Sequence, residues 1–366
     1  MKLTFPHMGN MYLPVKAMAQ DLNVDVVIPP KSSKRTLELG TRYSPELMCF
    51  PMKLNLGNII ESIEQGADTV IMTTSFGPCR FGLYSQVLKE ILKDLNHNVD
   101  FVLLEAPDKK YGEFLNRIYN VTSINNPIKI SKVVLRALNI LRELEYIEDW
   151  ILKNSPYCDF PLHEFFHELK TDLENSYGTK EMFKKVKIAK NKLSKFNLNK
   201  NANPIKIGIV GEIYTVIDDF SNLNLSKKLN NMGVEVHKSL SISKWFWEHV
   251  VLGSLGFKDN HVIKVAKPFV STGIGGHCRE TIGNSILYSQ ANLDGVIHLM
   301  PFSCMPEIVS MSLFPNIQEK YNIPVLSLII DEMTGEAGYL TRLEAYIDLL
   351  TSRRDNFKNE KSISWN

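Results

Sequence analysis

The 366-residue sequence lacks the features that would assign it to several large classes of protein. It has no apolar run of the roughly 18 residues that a membrane-spanning helix needs, and its first six residues lack the apolar core of a signal peptide. Its 42 lysines and arginines nearly balance its 40 aspartates and glutamates, so no long-range field would collect nucleic acid or an anionic membrane. We therefore expect a cytoplasmic protein that binds neither nucleic acid nor membrane.

Cysteine is also scarce, with five residues in the chain. An odd number cannot form a complete set of disulfides, and cytosolic thiols are kept reduced. No C-x2–4-C pair is present, so a structural zinc site is not indicated. The cysteines are therefore either buried apolar residues or ligands, and composition does not choose between the two.

Hydrophobic patterning predicts an α/β protein. In residues 1–125, short apolar runs bounded by turn residues alternate with stretches of helical spacing, as in βαβ units with a parallel sheet. Residues 204–366 repeat this pattern, whereas residues 126–200 contain no convincing strand and are predicted to be a helical bridge. We predict two parallel-sheet units, Rossmann- or flavodoxin-like, that flank the helical segment. An active site is expected in the crevice between them, at the carboxyl ends of the strands.

The predicted elements follow from the same patterns, and the aromatic residues of Trp245–Leu252 are expected in the core. The predicted strands are Leu3–His7, Val24–Pro29, Asp68–Ser75, Phe101–Glu105, Ile205–Val210, Val234–His237, Gly295–Met300 and Pro324–Ile330. The predicted helices are Leu13–Leu22, Leu54–Gln65, Tyr84–Leu95, Ile128–Leu152, Leu162–Leu173, Met182–Phe196, Asn222–Met232, Glu280–Ala291, Glu307–Tyr321 and Leu340–Leu350.

Three of the cysteines fall where the expected site would form. Cys79 and Cys304 each follow a predicted strand, and Cys49 lies in an irregular segment just before a helix. If the strands are as predicted, all three thiols can face one crevice. Helix N-termini and the cation Arg80 would then favour thiolates and stabilise an anionic iron–sulfur core.

The other two cysteines have plainer interpretations. Cys158 is assigned to the core. Cys278, just before the predicted helix Glu280–Ala291, is either a core residue or a fourth ligand. Spacing alone does not separate a three-cysteine cluster from a set of buried thiols.

The residues around the three cysteines resemble a known family. The stretches concerned are Phe5–Asn10, Leu37–Lys53, Gly77–Gly82, Pro301–Glu307 and Asp331–Arg342. They are similar to the 2-hydroxyacyl-CoA dehydratase component family, in particular to the group named CoA protein activase or 2-hydroxyglutaryl-CoA dehydratase-related. The similarity runs through nearly the whole chain.

The resemblance implies that Cys49, Cys79 and Cys304 hold a [4Fe–4S] cluster. In that family the second cysteine follows the first by about 30 residues and the third follows some 200 later. In this chain the two intervals are 30 and 225 residues. Three protein ligands leave one iron open to a substrate carbonyl, to water, or to a sulfide that bridges to a second cubane. Either a single cubane or a double-cubane [8Fe–9S] cluster is therefore implied.

The resemblance also implies a function, as a component of a 2-hydroxyacyl-CoA dehydratase-like lyase or of an ATP-dependent low-potential reductase. In the family, a separate ATPase of the actin/Hsp70-like fold drives one electron onto the cluster. In dehydratases that electron makes a ketyl radical that lets 2-hydroxyacyl-CoA lose water, whereas double-cubane relatives reduce small molecules. This chain would accept the electron, as a homodimer or beside a related subunit, and act on an acyl-CoA or a small molecule.

This chain is not expected to be the ATPase itself. It has neither the D-x-G-S/T signature of the activator nor a G-x-x-x-x-G-K-[ST] loop. The turn Gly208–Glu212 also lacks the third glycine of a dinucleotide fingerprint.

Outside the cysteines, a few residues are candidates for chemistry. Arg80 would tune the charge of the cluster. Glu332 and Glu336 are candidate acid–base groups, and their alternative is a role as helix-capping carboxylates. His277 is either a donor to a substrate or a structural histidine. The competing class for the whole chain is a non-catalytic scaffold that binds the ATPase, with its cysteines structural or metal-free.

Overall fold

The computed structural model describes residues 1–73, 79–104, 122, 124, 126–199, 201–247 and 261–363. The chain divides into two compact units. The first consists of Met1–Trp150, Phe160–Asn197 and Leu240–Lys258, and the second of Ile151–Asp159, Leu198–Ser239 and Asp259–Asn366. Within the described residues, no helix is both long and apolar enough to cross a membrane.

Both units are built from parallel strands connected by helices, so the predicted α/β class is confirmed. The strands are β1 (Leu3–Thr4), β2 (Thr69–Thr73), β3 (Asp100–Leu104), β4 (Lys206–Gly211), β5 (Glu235–Lys238), β6 (Gly295–Pro301) and β7 (Val325–Ile330). The helices are α1 (Tyr12–Leu22), α2 (Lys34–Tyr43), α3 (Phe50–Glu64), α4 (Tyr84–Asp94), α5 (Pro127–Asn154), α6 (Leu162–Glu174), α7 (Gly178–Leu193), α8 (Ile213–Ile217), α9 (Leu225–Asn231), α10 (Ile242–Phe246), α11 (His261–Ala266), α12 (Cys278–Gln290), α13 (Met305–Tyr321) and α14 (Glu336–Ile363).

The sheet of the first unit has the order β1-β2-β3. The prediction of a full strand at Val24–Pro29 is wrong, because among these residues only Val26 pairs, through a single parallel bridge to Leu3. Leu3 also pairs with Thr69 of β2, so Val26 lies on the opposite side of β1. Prolines at the end of the segment have no N–H to give to a ladder, which limits pairing there.

Helix α3 forms the centre of the first unit, since every residue from Phe50 to Ser62 is buried. Its backbone meets that of α2 at two glycines. A Cβ atom at Gly40 would lie 1.8 Å from the Lys53 carbonyl oxygen, and one at Gly57 would lie 1.9 Å from the Thr36 carbonyl oxygen. Only residues without a Cβ atom allow this approach of the two helices.

The sheet of the second unit has the order β5-β4-β6-β7. The chain goes from β4 to β5 on one side and reaches β6 on the other, so the strand order reverses between β4 and β6. β4 ends at Gly211, whose φ of +138° is accessible mainly to glycine, and whose Cβ atom would lie 2.1 Å from the Leu299 carbonyl oxygen. The close approach of the two strand ends depends on this residue.

Helices α5, α6 and α7 make up most of the segment predicted to be a helical bridge. Helix α7 begins against α1, where the Gly178 N–H donates to Gln20 over 2.8 Å and the Thr179 N–H donates to Asp21 over 3.1 Å. Most of this segment belongs to the first compact unit. The three predicted domains, 1–125, 126–200 and 204–366, remain a prediction, because compact units do not define where a domain begins.

Some predictions of local structure are wrong. Helix α2 is missing from the predicted elements, although Ser33 and Thr36 form a capping box at its start. The last helix is also longer than predicted, since α14 continues to Ile363. Trp247, which was expected in the core, is 53% exposed. Residues 248–252 of the same predicted segment lie outside the described residues.

We predict that Gly57→Ala lowers the free energy of unfolding by roughly 1–3 kcal/mol, measured by urea denaturation of the iron-free protein. The new methyl group must displace the backbone of α2, and this overpacking outweighs the higher helix propensity of alanine. Gly338→Ala in α14 is the control, because nothing lies within 4 Å of its new Cβ atom. Equal effects of the two substitutions would contradict the backbone contact.

Candidate functional site

Cys49 stands at the start of α3. Its backbone is extended (φ −66°, ψ 145°), so the residue occupies the N-cap position, and a proline follows inside the first turn. Proline suits that turn because the first helical N–H groups have no acceptor within the helix. The helix begins four residues before the predicted start at Leu54, which puts Cys49 directly at the helix N-terminus.

Cys79 has the same backbone setting. It is the N-cap (φ −65°, ψ 122°) of the 3₁₀ turn Arg80–Leu83, which leads into α4. The residues Gly77-Pro78 of the family-like motif, together with the rest of 74–78, lie outside the described residues.

Direct contacts join the segments that carry Cys49 and Cys79. The guanidinium of Arg80 donates to the Leu47 carbonyl oxygen over 2.6 Å. The hydroxyl of Tyr84 lies within hydrogen-bond distance of the Cys49 sulfur, and Phe81 packs edge-on against Tyr84 with ring centroids 5.1 Å apart. The structure therefore brings two of the three predicted ligand segments together, and Arg80 is one of the links.

Cys304 repeats this setting in the second unit. It is the N-cap (φ −76°, ψ 105°) of α13, again with a proline in the first turn. It follows β6 and so lies at the carboxyl edge of the second sheet. Because the strand order reverses between β4 and β6, this edge has the topology at which open α/β sheets bind ligands.

Cys278 is the counterpart of Cys49 in the second unit. Cys49 begins the helix before β2, the strand that Cys79 follows. Cys278 begins the helix before β6, the strand that Cys304 follows. Cys278, however, is fully buried in the apolar core beside Ser310. Burial raises the pKa of its thiol to about 11. Complete burial in an apolar cluster is typical of a core cysteine.

The remaining predicted residues lie on several elements of the second unit. Cys158, assigned to the core from the sequence, is only half-buried. Glu336 is 69% exposed in the first turn of α14, and its carboxylate pairs with Lys228 over 2.6 Å. Glu332 lies in the turn between β7 and α14, and His277 is the N-cap of α12. The position of Glu336 suits an acidic residue that stabilises a helix N-terminus.

Four polar residues that the sequence patterns did not identify as candidates are buried or partly buried in the structure. Lys53, one helical turn after Cys49, is 2% exposed. The sequence feature that could have identified it is a lysine inside the apolar run that forms α3. His298 on β6 and Glu307 on α13 are fully buried and lie 2.9 Å apart, Nε2 to Oε2. Glu212, after β4, is the fourth.

Glu212 caps α8 at the carboxyl edge of the second sheet. Although the residue is only partly buried, its carboxylate accepts the N–H groups of Tyr214 and Thr215, each over 3.0 Å. Loss of water around this carboxylate, reinforced by the negative charge of Glu307, raises the pKa of Glu212 to about 7. Its hydrogen bonds to backbone N–H groups offset this shift in part.

An iron–sulfur cluster is compatible with the donors that the first unit offers. Two cysteines stand at the N-termini of adjoining segments, in a setting of apolar and aromatic side chains. Within the part of the chain that the structure describes, no group of three or more His, Cys, Asp or Glu side chains is gathered so as to hold a metal ion. Cys49 and Cys79 belong to the first unit, and Cys304 belongs to the second.

Comparison with models of known protein families finds none that matches this chain, and a search of curated proteins finds no match either.

We predict that Glu212 makes stability fall as the pH rises. Between about pH 4.5 and 7 the folded protein retains a proton that the unfolded chain has lost, so the free energy of unfolding decreases across this interval. From pH 5 to 8, the free energy of unfolding of Glu212→Gln should therefore rise by on the order of 2 kcal/mol relative to that of wild type, as measured by urea unfolding of the iron-free protein. Glu344→Gln lies at an exposed position of α14, and its free energy of unfolding should change with pH in the same way as that of wild type. A constant difference between Glu212→Gln and wild type would contradict the raised pKa.

Proposed function

We propose that the chain carries a [4Fe–4S] cluster on Cys49, Cys79 and Cys304 and receives low-potential electrons. The observation that carries the proposal is the common backbone setting of the three residues. Each is an N-cap with extended dihedral angles, and in none of them does the side chain cap its own helix or turn. All three sulfurs are thus placed at helix or turn N-termini without being used there as caps.

The surroundings of these cysteines suit an anionic group. Helix N-termini carry a partial positive charge and backbone N–H groups, which favour thiolates and a negatively charged cluster. Arg80, the next residue after Cys79, adds a cation. The cluster, when bound, would supply one-electron chemistry at low potential, and three thiolates would leave one of its irons without a protein ligand.

The system in which the cluster works is inferred from the family resemblance. We propose a 2-hydroxyacyl-CoA dehydratase-like lyase component, or an ATP-dependent reductase component with a single or double cubane. A separate actin/Hsp70-like ATPase would deliver the electron, in the reducing cytoplasm, to a homodimer or to a complex with a related subunit. The substrate would be an acyl-CoA or a small molecule. Glu332 and Glu336 remain candidate acid–base groups of this proposal.

A second candidate is a metal-free scaffold that binds the ATPase. It is favoured by the burial of Cys49 and Cys304, which are 7% and 9% exposed, since buried cysteines are commonly core residues. The two candidates differ in whether the anaerobically purified chain contains iron.

We predict that Cys49→Ala, Cys79→Ala and Cys304→Ala each lose most of the iron that the wild type binds under anaerobic conditions, because a cubane with two protein ligands is released. Cys158→Ala and Cys278→Ala are matched controls from the same chain and should retain it. Iron is measured by colorimetric assay after gel filtration. Equal retention by all five variants would refute the ligand assignment, and an iron-free wild type would favour the scaffold.

A further inference from the structure

The turn before Cys304 holds an unusual backbone conformation. The Cys304 N–H donates to the Pro301 carbonyl oxygen over 3.0 Å, which closes a four-residue turn. Its third residue, Ser303, has a φ of +65°, a region that usually takes glycine. The turn is also attached to the end of β7, because the Phe302 N–H donates to the Ile330 carbonyl oxygen over 2.8 Å. Such a conformation in a serine persists only where the surroundings impose it.

Four linked polar side chains, three of them buried and one half-buried, connect the elements before and after this turn. His298, six residues before Cys304, binds Glu307, three residues after it, over 2.9 Å. Thr281 of α12 donates to the other oxygen of Glu307 over 3.2 Å, and Ser327 of β7 lies 3.1 Å from the second ring nitrogen of His298. We call Ser327, His298, Glu307 and Thr281 the clasp. It ties together β6, β7, α12 and α13, which include the strand before the turn and the helix after it.

The position of Glu307 is not explained by helix capping. A glutamate at the third position of a helix ordinarily turns back to the N–H of the N-cap residue. Here the Cys304 N–H binds Pro301 instead, and the carboxylate of Glu307 points inward to His298 and Thr281. A buried pair of this kind adds little net stability compared with apolar side chains of similar size, so stability alone does not account for it.

We propose that Glu307 and His298 are positioning residues for Cys304, which hold the Pro301–Cys304 turn in the one conformation that presents the thiol at the carboxyl edge of the second sheet. Cys304 is 9% exposed, and Gly276 of the loop before α12 packs against Pro306, so the turn is enclosed on a further side. The role of the turn as part of an iron site rests on the proposed function. The conformational role of the clasp does not.

The test measures alkylation of Cys304 by iodoacetamide in the full-length, iron-free protein, resolved by mass spectrometry. Glu307→Leu and the double variant His298→Leu/Glu307→Leu release the turn and should make Cys304 react about tenfold faster than in wild type, because the turn opens more often. Thr281→Val, which keeps its shape and removes one hydrogen bond, should give a smaller increase of about threefold. Glu307→Gln keeps acceptor and shape and should restore a rate close to wild type. Ser310→Ala, a buried serine of the same helix outside the clasp, is the matched control.

A second measurement on the same variants is iron uptake after anaerobic addition of ferrous iron and sulfide. Glu307→Leu and the double variant should bind less than half of the iron that wild type binds, whereas Glu307→Gln should bind as much. Unchanged alkylation in both leucine variants, or equal acceleration in Ser310→Ala, would overturn the clasp. If the wild type takes up no iron while Cys304 reacts faster in the leucine variants as expected, the proposed function is wrong. The positioning role of the clasp is then still supported.

Discussion

In a parallel sheet all strands end at the same edge, and each strand must be followed by a connection that returns the chain to the opposite edge. The residues after the strands are therefore the starts of helices, where N–H groups have no acceptor within the helix. In this protein Cys79, Glu212 and Cys304 all occupy such positions, after β2, β4 and β6. The parallel direction of the strands therefore places all three residues beside the N–H groups at the start of a helix or turn.

Polar side chains are buried in both units close in sequence to cysteines that begin helices. In the first unit, α3 carries Lys53 and four further buried polar residues, and its backbone meets that of α2 at two glycines. In the second unit, the clasp joins the strand before the turn to Cys304 with the helix after it. Buried polar groups cost free energy unless they are paired, and here Glu61 binds Thr36 and Glu307 binds His298.

The repeated topology gives each unit a pair of cysteines, but it does not give the pairs the same chemistry. Both cysteines are buried at the start of a helix within an apolar cluster, but Cys49 lies near a tyrosine hydroxyl, whereas Cys278 lies beside Ser310 with its pKa raised by burial. Equivalent places in two similar sheets therefore hold thiols with different polar neighbours.

Much of the architecture could be predicted because strong periodicity needs no knowledge of tertiary contacts. The predicted bounds of α4, α5 and β6 are within two residues of those observed, because amphipathic patterns and a continuous apolar run define them. The start of α3 was misplaced because Pro51 looks like an interruption, although proline fits the first turn.

The contacts of the candidate site could not be predicted in the same way. Tyr84 meets Cys49 across 35 residues, and His298 meets Glu307 across a turn whose left-handed serine has no sequence signature. Such pairs are set by how the elements pack, which local patterns do not contain. The motifs around the cysteines contain Arg80 and Glu307, but they do not show which groups these side chains bind.

The most direct test of the account is the Mössbauer spectrum of the wild-type protein, purified without oxygen from cells grown on ⁵⁷Fe. The account predicts the doublets of a [4Fe–4S] cluster at roughly four irons per cubane, with about one quarter of the iron changing when cyanide or an acyl-CoA is added, because one iron lacks a protein ligand. A spectrum without iron absorption above background would contradict it.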